Sequence, residues 1–170
     1  AVCGGGGWGQ EVSLPENVKV GYTGGGVIDS RSYIVGGWNI NYQSVNIYGQ
    51  TVNNLYTWAP GEASWRELPS MSTPRYAHCV VSCKNEIWVI GGHDGESWLS
   101  SVERYTPTHA RRETKRSLPV ALGCLACTCY NDRHIIVTGG EVNAGNSDAI
   151  YMYRIADDAW QRHSNNQPQT

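Results

Sequence analysis

Ile87–Gly92 reads IWVIGG, and that stretch recurs. Ser32–Gly37 reads SYIVGG and His134–Gly140 reads HIIVTGG, so three apolar runs each end in a glycine pair. The second glycines fall at 37, 92 and 140, in steps of 55 and 48 residues. A β-prone run that stops on Gly-Gly reads as a strand followed by a sharp turn, because glycine reaches positive φ and has no Cβ to crowd the turn. Self-similarity at this spacing is the mark of a repeat architecture.

Other landmarks keep the same order. After each pair comes an aromatic, and 7 residues later a second marker: Trp58 then Trp65, Tyr105 then Arg112, Tyr153 then Trp160. From the pair to the aromatic is 13 residues in the second and third copies but 21 in the first. A Leu-Pro pair precedes each glycine pair, at Leu14-Pro15, Leu68-Pro69 and Leu118-Pro119. A copy of about 50 residues holds one four-stranded unit. The predicted strands are 18–24, 31–36, 53–58 and 64–68; then 77–83, 86–90, 101–106 and 112–117; then 123–130, 134–138, 149–155 and 159–163.

Composition agrees with an all-β chain. Its 170 residues include 20 Gly, 10 Tyr and 7 Trp but no Phe, and short Val, Ile, Tyr and Trp runs alternate with Gly, Asn, Ser and Pro clusters. With a net charge of −2 and no basic run, nucleic acid is not an expected partner. No apolar stretch approaches the roughly 20 residues that span a membrane. Six cysteines fit three disulfides, yet no Asn-x-Ser/Thr acceptor occurs in an Asn-rich chain. The balance favours a cytoplasmic chain with reduced cysteines, with an extracellular, disulfide-bonded propeller as the alternative.

The segment PRYAHCVV followed by NEIWVIGGHDGESWLSSVERY, Pro74 to Tyr105, resembles a kelch repeat of the kelch-like, BTB-kelch adaptor type. The Pro-Arg start, the GGHDG turn and the SSVERY strand carry the resemblance, which extends over about residues 8–163. It departs at Arg112, where the family usually has Trp, and copies one and three lack the Pro-Arg start. It implies an all-β kelch β-propeller segment of three four-stranded antiparallel blades. Such a segment is either part of a longer ring or half of a six-bladed ring closed by a homodimer. The expected division is 1–17 as a Gly-rich leader with an outer strand of a neighbouring blade, 18–68, 69–117 and 118–163 as repeats, and 164–170 as a polar tail. By resemblance the chain binds a partner protein, as the substrate-recognition part of a cullin-type ubiquitin ligase adaptor or as an actin-binding, cytoskeletal protein.

Antiparallel blades bring the loop after the glycine pair and the loop to the next blade to the same face, where binding residues concentrate. The first copy carries eight extra residues after Gly37, and no charge occurs from Ser32 through Gly61. Trp38, Asn39, Tyr42 and Tyr48 of this insertion are candidate partner contacts; folding back over its own blade, or pairing as a hairpin, is the alternative. Arg75, Tyr76, His93, Asp94, Trp98 and Glu141 complete the candidate set. Arg75 matches a family position that pairs with acidic ligands, or else bonds neighbouring loop carbonyls.

No catalytic set is visible. The five histidines do not pair at ligand spacing, and no GxSxG, HExxH or Walker loop occurs. No cofactor is called for. Cys124-x-x-Cys127-x-Cys129 resembles half of a zinc site that Cys79 and Cys83 could complete. Against metal, Cys79 and Cys127 each lie 13 residues before the second glycine of a pair, which suggests one shared core role.

Overall fold

The computed structural model describes residues 12–15, 20–39 and 50–163. Strands β1 (Val20–Gly21), β2 (Gly24–Ile28), β3 (Arg31–Asn39), β4 (Gln50–Trp58) and β5 (Arg66–Leu68) form the first sheet. The second sheet is β6 (Cys79–Cys83), β7 (Glu86–Ile90), β8 (Val102–Thr106) and β9 (Arg111–Lys115) in that order. In the third, β10 (Ala126–Tyr130) and β11 (His134–Thr138) pair with β14 (Ile150–Arg154) and β15 (Ala159–His163). A hairpin of β12 (Glu141–Val142) and β13 (Gly145–Asn146) interrupts it. All ladders are antiparallel, and the described residues make three blades of a β-propeller.

Each apolar core lies between two blades. Tyr33, Val35, Leu55, Met71, Ile87, Val89 and Tyr105 pack blade one on blade two. Trp88, Ile90, Val102, Leu122, Ile135, Val137 and Tyr153 pack blade two on blade three, with the Trp88 and Tyr153 rings edge to face at 5.4 Å. Strand alternation therefore serves two neighbours at once: odd and even positions of β7 face opposite blades.

The inner strands β2, β6 and β10 adjoin in series, and each starts after a non-glycine residue in the left-handed region. These are Tyr22, Ala77 and Cys124, at φ of 51°, 52° and 50°. Their backbones link the blades, since Ala77 N–H donates to Tyr22 O and Cys124 N–H donates to Ala77 O at 3.2 and 2.8 Å.

Two strand expectations needed revision. The first strand of blade one lies at Gly24–Ile28 and not at 18–24. Gly25 and Gly26 fall between the expected strands, but the glycines of this strand permit close approach: a Cβ at Gly24 would fall inside contact distance of Val80, and one at Gly26 would lie 3.3 Å from Ile87 Cδ1. The second concerns β3, which does not stop at its glycine pair. A bulge between Val35 and Gly37 lets it continue to Asn39, paired with Gln50 on one side and Val20 on the other. The Leu-Pro landmark also splits. Met71 N–H donates to Asn53 O and Leu118 N–H donates to Ser100 O, so Leu118 fills the slot of Met71, while Leu68 lies in β5.

The shared core role for Cys79 and Cys127 fails for a similar reason. The β6–β7 turn has two residues, Lys84 and Asn85, whereas the β10–β11 turn has three, Asn131 to Arg133. The extra residue shifts the register by one, so Cys79 matches Ala126 and Cys127 points the opposite way. Cys79 and Cys127 consequently face each other across the blade boundary, as do Cys83 and Cys129. Both pairs are disulfide-bonded, with Cα atoms 6.0 and 5.4 Å apart. This corrects the expectation of reduced cysteines and takes four of the five sulfurs of the supposed zinc set, leaving only Cys124 of that set free.

Candidate functional site

One end of the blades carries a continuous aromatic run. Trp38, on the continuation of β3, meets Tyr76 edge-on at 4.9 Å. Tyr76 lies 5.3 Å from His93, and His93 meets Trp98 edge-on at 4.8 Å. Tyr22, 74% exposed, flanks Tyr76 at 6.3 Å. All four members of the run are partly exposed. The run spans from blade one to the start of blade three, because the Trp98 ring lies against Gly123, where any Cβ would overlap it.

Backbone bridges hold these side chains in place. Tyr76 and His93 exchange N–H to carbonyl bonds at 3.0 and 2.9 Å, and Gly123 and Glu141 exchange the equivalent pair at 3.1 and 2.7 Å. Glu141 thus stands in blade three where His93 stands in blade two. The β3 extension reaches the same loop, since Thr51 Oγ1 donates to Asp94 O at 3.0 Å. Gly95 N–H donates to His93 Nδ1 at 2.9 Å, which leaves Nε2 as the protonated nitrogen of the neutral ring.

Asp94 closes its own turn by accepting N–H from Glu96 and Ser97, each at 2.8 Å. These amides, Ser97 first, hold its carboxyl below the usual carboxylate range. Burial, and then the charge of Glu141, push the Cys124 thiol up, so this exposed cysteine stays protonated at neutral pH.

Trp38, Tyr76, His93 and Trp98 are brought together, with Asn39, Asp94 and Glu141 at the margin. Tyr42 and Tyr48 lie outside the described residues. The base of the insertion pairs as a hairpin, Trp38 opposite Thr51 and Asn39 opposite Gln50.

Arg75 leaves the contact set. It is wholly buried, and its guanidinium donates to Gly91 O, to Ser101 O and Oγ and to Glu103, at 2.8–3.1 Å. Loop carbonyls and a strand carboxylate take the place of an acidic ligand. Sequence reading also missed Tyr22, Gly123 and Thr51. Only the blade-to-blade register reveals them, because a glycine under a tryptophan has no signal of its own.

Arg112 does the work of the indole it replaces. It donates to Ser70 O across the boundary between blades one and two, as Trp160 Nε1 donates to Arg116 O between blades two and three.

Comparison with known proteins agrees with this architecture. Residues 74–118 match the Kelch motif. Kelch-like protein 35 of Mus musculus is 26% identical over 132 residues, covering 78% of this chain and 21% of that protein. Kelch repeat and BTB domain-containing protein 13 of Homo sapiens is 25% identical over 153 residues, covering 90% and 31%. Spermatocyte protein spe-26 of Caenorhabditis elegans is 26% identical over 136 residues, covering 80% and 23%. The chain thus spans less than a third of the length of these relatives.

Proposed function

We propose that this chain, whose repeats resemble those of kelch-like proteins, is a protein-interaction module, without catalytic activity, that grips a partner on the aromatic end of its blades. The carrying observation is the run Trp38–Tyr76–His93–Trp98, in which backbone bridges fix rings that remain partly exposed. Rigid aromatic side chains give contact area at low entropic cost, and Trp and Tyr dominate the energetics of interfaces. The finer reading is the substrate-recognition part of a cullin-type ubiquitin ligase adaptor acting in the cytoplasm. In that reading a BTB segment, which the human relative carries by name, recruits the cullin.

Affinity capture with the full chain tests the module. Trp38→Ala and Trp98→Ala should each remove the captured partner while the melting temperature stays within a few degrees. Retention of the partner by both folded variants would sink the proposal.

A second reading has its own support. Two cross-blade disulfides suit an oxidising compartment, which favours an extracellular propeller. Thiol titration of the denatured, unreduced chain separates the two. Four blocked thiols are expected, and six free thiols would overturn the cross-blade pairing and the extracellular reading with it.

A further inference from the structure

We infer that the partner presents a basic, arginine-bearing segment to this face; the inference rests on the interaction reading above and names the chemistry it recognises. Four acids occur in the loop stretches 70–78, 91–101, 117–125 and 139–149: Asp94, Glu96, Glu141 and Asp148. The only Lys or Arg in the same stretches is Arg75, whose guanidinium is buried and spent on Glu103. Among the described residues none of the four acids is in an ion pair.

The rest of the described residues differ in charge. Away from this end, Glu62, Glu86, Glu103, Glu113 and Asp157 are each held by an arginine within 3.0 Å, while Asp29, Glu67, Asp132 and Asp158 are in no ion pair but lie among lysines and arginines of the same strands and turns. Acids and cations are therefore interspersed at the opposite end of the blades, while the described loops of the aromatic end offer acids alone to a ligand. Of the four loop acids, the Asp94 carboxylate already serves its own turn, which leaves Glu96, Glu141 and Asp148 exposed.

The aromatic run narrows the choice of cation. Trp98 and Tyr76 offer ring faces and edges between the carboxylates of blades two and three. A planar guanidinium can stack on such a ring while its N–H fork reaches a carboxylate, which an ammonium does less well. An acidic segment, by contrast, would meet four like charges and, among the described residues, no free cation.

Selection of a random peptide library, displayed on phage, against the immobilised full chain tests the inference. Selected peptides should be enriched in Arg over Asp and Glu. The best of them should lose affinity about tenfold in the combined Glu96→Gln, Glu141→Gln and Asp148→Asn variant, about the loss of one charge-assisted contact. Binding should also weaken between about 0.05 and 0.3 M salt, as the screening length falls below 10 Å.

Enrichment in acidic residues, or affinity unchanged by the triple replacement, overturns the basic partner. If those same peptides are nevertheless lost with Trp98→Ala, or with Trp38→Ala should Trp98→Ala not fold, the aromatic face still binds and only the charge inference falls. Peptides that survive both the triple variant and the tryptophan variants remove the face reading as well.

Discussion

Arg75 and Glu103 form an ion pair 2.8 Å long between blades one and two, with side chains 0% and 4% exposed. The next boundary has no such pair. Gly37 N–H donates to Arg75 O and Gly92 N–H donates to Leu122 O, so Leu122 occupies the place of Arg75. By the same register Tyr151 occupies the place of Glu103. One boundary is polar where its neighbour is apolar, within a single backbone plan.

Glu103 accepts N–H from Ser72 as well as the guanidinium, so Glu103→Leu strands a buried cation. Its loss should cost about 3–5 kcal/mol. The double replacement Arg75→Leu with Glu103→Tyr copies the other boundary and should recover most of that loss. Urea midpoints at constant slope measure both.

Gly36→Ala should destabilise more than Gly139→Ala. Both glycines are left-handed, at φ of 58° and 67°, so each substitution carries about 1–2 kcal/mol of backbone strain. A Cβ at Gly36 would also lie 2.7 Å from Arg75 O, whereas nothing described lies within 4 Å of one at Gly139. Equal losses in thermal unfolding would mean that Gly139 is packed too, as in a closed ring.

Burial, reinforced by the nearby Arg75 charge, lowers the pKa of His78 from 6.5 to about 4. Its Nε2 lies 3.0 Å from Val35 O, and Nδ1 is buried without a partner. Between pH 6.5 and 4 the unfolded chain takes up the proton and the folded chain does not. Stability should therefore fall as pH drops through that window, by on the order of 2–3 kcal/mol from this group, and level off below it. His78→Gln should remove this component from the pH dependence of the urea midpoint, whatever it does to stability at pH 7.

The two disulfides close chain loops of 48 and 46 residues that nearly coincide. Once one is formed, the other adds little constraint to the unfolded chain. Cys79→Ser or Cys83→Ser alone should cost little, while the pair together should cost about 4 kcal/mol. Additive losses in denaturation under non-reducing conditions would contradict the shared-loop argument.

The repeat was legible because its glycine pairs sit where the chain must turn at positive φ, a demand that sequence records directly. The aromatic candidates were legible for a related reason, since Trp38, Tyr76, His93 and Trp98 are near those turns. What escaped depended on partners distant in the chain. Arg75 looks the same in sequence whether it faces a ligand or Glu103. Gly25 and Gly26 look like loop unless the neighbouring blade is known to press on this strand, as Ile87 does at Gly26. The cysteine pairing turned on Arg133, one residue in a turn, and spacing counted from the glycines passes over it.

That turn has a consequence for how such chains diversify. The three-residue turn Asn131–Arg133 decides which face of β10 carries which side chains: with a two-residue turn like that of β6 and β7, Cys127 and Cys129 would face the following blade, and with three they face the preceding one. A length change can thus create covalent cross-links from residues already present. In a repeat protein, insertions in hairpin tips rewrite the chemistry between units as surely as substitutions do, and they leave the unit's own sequence signature intact.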